Sequence, residues 1–269
     1  MKKKKIHFVG IKGTNMTPLA LIAKEAGCIV TGSDIEQEFI TDIALRNAGI
    51  KPLVGFSAEH ITSPDLVITT GAHGGFDNIE VKTALSKKIP VMSAGEATGA
   101  FMQGKLLGKK FTGVSVAGTH GKTTTTAMIA TVLKESKFDP SYIIGTGDVG
   151  SLGAPGHLGK GKYFIVEADE YVTEPKQDKT PRFMWQHPMF AVFLNIDFDH
   201  PDVYESVDAV RAAFHSFALQ LDLKGALVAC GDDHQIQKIL QHYQHRVITY
   251  GFNPRNHYVL TRVTISGEQ

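Results

Sequence analysis

The sequence predicts an α/β fold of parallel sheets covered by helices on both faces, and two observations carry that prediction. First, an apolar strand that runs into a glycine turn and then a helix occurs twice, as "KIHFVGIKGTNMTPLALIAKEAG" at 5–27 and "FTGVSVAGTHGKTTTTAMIATVLKESKF" at 111–138. Second, the later apolar runs "YFIVEAD" (163–169) and "FAVFLNID" (190–197) end in acid-bearing polar tails. Buried strands of a parallel sheet read as such runs, and ligands of open α/β sheets sit beyond their carboxyl ends.

In the first half, Ile6–Val9 is a β-rich run closed by Gly10. Met16, Leu19, Ala20, Ile22 and Ala23 then recur at three- and four-residue spacing, which is the period of a helix with one apolar face. "CIVTGSD" (28–34) reads as a second buried strand ending at Asp34, completing a βαβ unit. Strand–helix alternation continues through "DLVITTG" (65–71), "NIEVKTALSKK" (78–88) and "IPVMSAGE" (89–96). The glycine- and lysine-rich stretch "MQGKLLGKKFTG" (102–113) is the expected boundary, dividing the chain into a Rossmann-like unit, 1–108, and a P-loop ATPase-type α/β unit, 109–269. In the second unit "GALVACGDD" (225–233) and "HRVITYG" (245–251) read as further strands with a short helix between them.

The first glycine turn does not match the dinucleotide fingerprint. G-x-G-x-x-G counted from Gly10 needs glycine at positions 12 and 15, where Lys12 and Asn15 stand. That weakens a dinucleotide oxidoreductase reading and favours another diphosphate-bearing ligand, with the helix N-terminus and Lys12 facing its phosphates. Asp34, at the end of the second strand, is placed to accept a hydrogen bond from a ribose hydroxyl or a base.

The second turn has the chemistry of a phosphate loop. Gly118 and Gly121 let backbone N–H groups approach phosphate oxygens, and the helix N-terminus adds its positive end. Lys122 is expected to neutralise the β/γ-phosphates, and the Thr123 hydroxyl to ligate Mg²⁺. The strict G-x-x-x-x-G-K-[ST] pattern is not met, because Val116 occupies its first position and a shorter G-T-H-G-K-T remains. The loop residues Gly118, Thr119, His120, Gly121, Lys122, Thr123 and Thr124 are thus the expected ATP cradle. Glu167 and Asp169 at one strand end, and Asn195, Asp199, His200 and Asp202 at the next, converge on it as Mg²⁺ and nucleotide contacts. His187, His215, His242 and His245 are scattered and read as surface or structural.

Composition sets the limits. A chain of 269 residues with 42% hydrophobic and 20% charged residues is ordinary for a soluble α/β protein, and its formal net charge of +1 makes no case for a nucleic-acid or membrane partner. The apolar "IHFVGI" after "MKKKK" is too short for a signal sequence. Cys28 and Cys230 have no metal or redox spacing, so a cytoplasmic protein is expected.

Taken in order, "GIKGTNMTPLA", Ser33-Asp34, "AGTHGKTTT", "EADE" and "NIDFDHPD" resemble the Mur ligases of bacterial cell-wall synthesis. Within that family the chain resembles the group that joins UDP-N-acetylmuramate to L-alanine and the close relatives that attach a whole tripeptide. The resemblance implies ATP-dependent amide formation through an acyl phosphate, with Lys122, Glu167 and His200 catalytic. It further implies Thr123 and Glu167 as Mg²⁺ ligands, His200 at a second metal, and Asn195 near the nucleotide. UDP would be held by Gly13, Thr14, Asn15, Met16, Asp34 and His73 of the "TTGAH" turn. There are three departures. Asn15 stands where the family usually has glycine, and "EADEYVTEPKQDKTPRF" (167–183) replaces the usual E-x-D-E-S and looks closer to the tripeptide-adding group. The third C-terminal domain of the family is not in this sequence, so the chain alone is expected to bind ligands without completing ligation. A non-catalytic nucleotide-binding module is the alternative from another class, against which Lys122, Glu167 and His200 together argue.

Overall fold

The computed structural model describes residues 3–264. The first part comprises β1 (Lys5–Val9), α1 (Met16–Glu25), β2 (Ile29–Asp34), α2 (Asp42–Asn47), β3 (Leu53–Val54), β4 (Leu66–Thr69), α3 (Ile79–Ser86), β5 (Val91–Ser93) and α4 (Ala94–Met102). The second comprises β6 (Thr112–Ala117), α5 (Lys122–Glu135), β7 (Ser141–Ile143), β8 (Gly156–His157), β9 (Tyr163–Ala168), β10 (Val172–Glu174), β11 (Asp178–Pro181), β12 (Phe190–Phe193), α6 (Val207–Ala218), β13 (Ala226–Cys230), α7 (His234–Leu240), β14 (Val247–Gly251) and β15 (Tyr258–Val259).

Five parallel strands in the order β3-β2-β1-β4-β5 form the first sheet. The second has eight strands, β15-β14-β13-β12-β6-β9-β7-β8, parallel except for the β7–β8 pair. Register explains why the glycine turns matter. Val9 lies opposite Ser33 and Thr69, and Ala117 opposite Ala168 and Phe193, so neighbouring strands deliver their following loops to the same edge. β4 is buried along its whole length, as a strand covered on both faces must be. β5 stops at Ser93, whose hydroxyl and Glu96 form a reciprocal capping box that starts α4 at once.

The two sheets share one core. Leu19 and Ile22 of α1 belong to the same apolar cluster as Phe111, Ile143, Phe164 and Val166. A second cluster under α6 is aromatic, with Phe183 stacked on Phe217 at 4.6 Å between ring centroids. α4 approaches the second part so closely that a Cβ on Gly95 would lie 2.9 Å from Trp185 Cδ1. His157 bridges the parts too, with Nδ1 3.1 Å from Glu25 and Nε2 3.4 Å from Asp139. The hydrogen bond that its ring donates to the Glu25 carboxylate leads the effects that hold its pKa above the ordinary histidine value. Among the described residues, no helix is long and apolar enough to cross a membrane.

Several elements were outside the sequence expectations, among them α2, β3, β7, β8, α6 and β15, and one bears on the site. β10 and β11 form an antiparallel hairpin within the run 167–183, seated on the turn that carries His73. A Cβ on Gly71 of that turn would come within 2.8 Å of the Thr173 carbonyl.

Candidate active site

The phosphate loop is built as its sequence demands. Gly118 has φ +154° and a Cβ there would stand 2.8 Å from the Leu194 side chain, so glycine is required by both backbone and space. Gly121, at φ +83°, is the left-handed residue that turns the chain into α5. Asn195 clamps the loop: its Oδ1 accepts from His120 N at 2.8 Å, its Nδ2 donates to His120 O at 3.0 Å, and Thr119 N donates to Asn195 O at 3.1 Å. The Asn195 amide is occupied at both ends in shaping the loop expected to hold the nucleotide. Asn195→Ala should therefore weaken ATP binding about tenfold while lowering stability by only about 1 kcal/mol, as read by ATP titration and a denaturant melt.

Lys122 opens α5 and donates to Gly118 O at 2.7 Å and to Glu170 Oε2 at 2.8 Å. Thr123 Oγ1 donates to Glu167 Oε2 at 3.0 Å, and the other Glu167 oxygen accepts from Gly145 N at 2.5 Å. Burial pushes the Glu167 carboxyl upward, against the lowering effect of those two hydrogen bonds. His120 and Thr124 lie at the exposed rim of the loop.

Glu170 is the residue that the sequence reading missed. It closes the "EADE" run one position past Asp169 and was given no role there, yet its side chain is only 2% exposed. Its Oε1 is buried without a partner among the described residues and lies 4.0 Å from His200 Nε2. Burial raises its pKa, and Lys122 opposes that rise. His200, at φ +58°, packs edge-on against Tyr171 at 4.9 Å.

The donor set accommodates Mg²⁺. The Thr123 hydroxyl and the Glu167 carboxylate are hard oxygen ligands side by side, and Glu170 Oε1 is an unsatisfied anion beside the His200 ring. Among the described residues no three His, Cys, Asp or Glu side chains form a closed cage. That suits a cation completed by phosphate oxygens and water, as Mg²⁺ in nucleotide sites is.

In the N-terminal turn three of the expected residues are engaged within the protein itself. Lys12 Nζ donates to Ile35 O at 3.0 Å and Gln37 O at 2.8 Å, where the chain turns after β2. Asp34 is 1% exposed, and its oxygens accept from Lys12 N at 2.7 Å and Ile35 N at 2.8 Å, so its carboxylate organises the turn. Met16 is packed in the core, with its amide bonded to Gly13 O. Gly13, Thr14 and Asn15 remain half-buried at the surface of the turn, while His73 stands with Nε2 3.5 Å from Asp34. Asn15 reaches the second part directly, because it lines the same cleft as Glu167.

Two parallel-stranded sheets that share a core, each with a glycine turn before a helix and one of those turns followed by Lys122-Thr123, define an α/β protein with a phosphate-loop-like turn. Comparison with known proteins specifies the family. Residues 5–106 match the profile described as Mur ligase family, catalytic domain, and residues 116–269 match the Mur ligase middle domain. The sequence is 34% identical over 265 residues to a UDP-N-acetylmuramate–L-alanine ligase of Psychrobacter sp. (strain PRwf-1), covering 98% of this chain and 52% of the relative. It is 38% identical over 255 residues to the ligase of the same name from Acetivibrio thermocellus, covering 95% and 51%. Among solved structures it is similar to a UDP-N-acetylmuramate:L-alanyl-gamma-D-glutamyl-meso-diaminopimelate ligase from Neisseria meningitides, with TM-score 0.80, 29% identity and 93% and 78% coverage of the two chains. The UDP-N-acetylmuramate-alanine ligase of Thermotoga maritima gives TM-score 0.76, 30% identity and 96% and 54% coverage. The chain belongs to the Mur ligase family, with the Rossmann-like and P-loop ATPase-type architecture of those neighbours. It spans about half the length of the curated relatives it matches.

Proposed function

We propose that this chain is the nucleotide-handling part of an ATP-dependent ligase that joins UDP-N-acetylmuramate to L-alanine through an acyl phosphate, in peptidoglycan biosynthesis. The observation that carries the reading is the cleft shared by Asn15, from the turn before α1, and Glu167, which is hydrogen-bonded to Thr123 of the phosphate loop. Residues 1–108 hold the UDP-sugar and 109–269 hold ATP, so the sugar's carboxylate comes to the γ-phosphate at their junction.

The chemistry follows from charge. A carboxylate oxygen attacks the γ-phosphorus, the bond to the β–γ bridging oxygen breaks, and ADP leaves. An amine nitrogen then attacks the acyl carbon, phosphate departs, and the nitrogen loses its proton. The first step brings an anion to a polyanion, so it requires neutralisation. Lys122 supplies one charge after turning from Gly118 O to the phosphates, and the N–H groups of the 118–121 turn supply donors. Mg²⁺, when bound, adds Lewis-acid neutralisation of the γ-phosphate, and Thr123, Glu167, Glu170 and His200 are the residues to hold it.

A second reading, with a tripeptide in place of L-alanine, is supported by the similarity to the Neisseria ligase and by the run 167–183. Calorimetric titration of the chain with UDP-N-acetylmuramate and, separately, NADH tests the common part of both readings. Binding of the UDP-sugar alone is expected; binding of NADH alone would replace the ligase with a dinucleotide-dependent protein.

A further inference from the structure

We propose that Arg182 and Asn15 together recognise the carboxylate of the nucleotide-sugar acid, and so decide which nucleotide sugars this site admits. The inference rests on the UDP-sugar reading above and adds to it the residues that select the acid group. Both residues line the small cleft between the two parts, together with Thr98, Glu167, Asp169 and Gln186. The cleft is walled by Asn15 and Thr98 from the first part and by Glu167, Asp169, Arg182 and Gln186 from the second.

The hydrogen-bonding balance of that cleft is one-sided. Each of its four carboxylate oxygens already holds one donor: Glu167 accepts from Thr123 and from Gly145 N, and Asp169 accepts from Tyr171 N at 3.2 Å and from Arg182 Nη1 at 2.8 Å. Gln186 is satisfied at both ends, by Ser115 at 2.6 Å and by Glu167 O at 3.0 Å. The Thr98 hydroxyl donates to Ala94 O at 2.8 Å. Two sets of donors are left over. A guanidinium has five N–H groups, and among the described residues Arg182 commits one of them, to Asp169. Asn15 sits at the start of α1 without capping it, and its amide has no partner among the described residues. A cleft whose uncommitted groups are donors, one of them a planar cationic fork, fits a carboxylate.

Position and rigidity agree with that assignment. Glu167 lines the cleft and accepts a hydrogen bond from Thr123 of the phosphate loop, so an acid group seated there lies close to the site proposed for the γ-phosphate. Arg182 is fixed from two sides, by the Asp169 carboxylate and by the Tyr171 ring, whose centroid lies 5.5 Å away.

The test compares UDP-N-acetylmuramate with UDP-N-acetylglucosamine, the same nucleotide sugar without the lactyl carboxylate, by titration calorimetry on the full chain. The unmodified chain should prefer the acid by about tenfold or more, the effect of a charge-assisted hydrogen bond. Arg182→Ala should remove that preference by weakening only the acid, and Asn15→Ala should reduce it several-fold. Arg182→Lys keeps the charge without the fork and should recover part of it, and an unchanged melting temperature in that variant guards against misfolding. Equal weakening of both sugars in Arg182→Ala, or no change in either, would overturn the proposal. So would equal binding of both sugars by the unmodified chain, which would leave the UDP-site reading intact. Binding of neither sugar by the unmodified chain would instead remove that reading, and this proposal with it.

Discussion

Lys122→Ala should abolish measurable Mg²⁺–ATP binding, a loss of at least about 100-fold, and should leave UDP-N-acetylmuramate binding within about twofold. The same substitution should also destabilise the fold. In the free protein the ammonium is the ion-pair partner of Glu170, at 2.8 Å, and that carboxylate is almost wholly buried. Removing one member of a buried pair strands the other charge, at a cost of roughly 3 kcal/mol. The pH dependence identifies the cause. Burial already raises the Glu170 pKa, and losing Lys122 raises it further. A group with a folded pKa above its unfolded value binds more protons when folded, so its favourable contribution is fully present below the unfolded pKa and is lost as pH rises through the folded one. The stability gap between the variant and the unmodified chain should thus narrow as pH falls from about 8 towards about 5. Lys122→Ala combined with Glu170→Gln should regain most of the stability and none of the ATP binding. Loss of both ligands in the single variant, with the fold intact, would refute the division into a UDP-sugar unit and an ATP unit.

How much of this was legible in the sequence depended on how local the signal is. The glycine turns could be read because their cause is local: an apolar strand, a residue free to take positive φ or close approach, then a helix of 3.6-residue period. The Thr123–Glu167 pairing followed from strand ends meeting at one edge of a parallel sheet. The partners of Lys12 were not legible, because a lysine beside a glycine turn looks like a phosphate ligand, and only the folded path of 35–37 shows three carbonyls converging on its Nζ. The β10–β11 hairpin was hidden because "VTEPKQDKTP" lacks alternation and carries prolines. It is held instead by tertiary contacts, such as Trp185 Nε1 donating to Thr173 Oγ1 at 2.9 Å. Glu170 was passed over because three acids in "EADE" differ only in where the strand end points them.

Glu80 shows the same limit with a larger consequence. In "NIEVKTALSKK" it reads as an ordinary acid in the first turn of a helix, yet it is the fully buried hub of the first part. Its Oε2 accepts from Ser33 Oγ at 2.5 Å and faces His7 Nε2 at 3.2 Å, while its Oε1 faces His60 Nδ1 at 2.6 Å and accepts from Ser57 N at 3.2 Å. Glu80→Ala would leave these groups without their acceptor and should cost about 3–5 kcal/mol in a denaturant melt. Glu80→Gln keeps the volume but cannot accept at both ends, and should cost less. Burial alone would raise the Glu80 pKa, but the hydrogen bonds from His7, Ser33 and His60 bring it below the ordinary value. A carboxylate held below its unfolded value stabilises the fold above about pH 4.3 and loses that contribution as pH falls through its folded pKa. The unmodified chain should therefore show an acid limb in its stability profile that Glu80→Gln reduces. The hub also bears on ligand binding. Ser33 adjoins Asp34, and the Ser33 carbonyl accepts from Gly10 N at 2.9 Å and Ile11 N at 3.1 Å, so the network sets the base of the very turn proposed to hold UDP. Glu80→Gln, folded at neutral pH, should accordingly weaken UDP-N-acetylmuramate several-fold while ATP binding, built on the other sheet, stays unchanged. Equal weakening of both ligands would mean that the hub supports the shared core and not the turn.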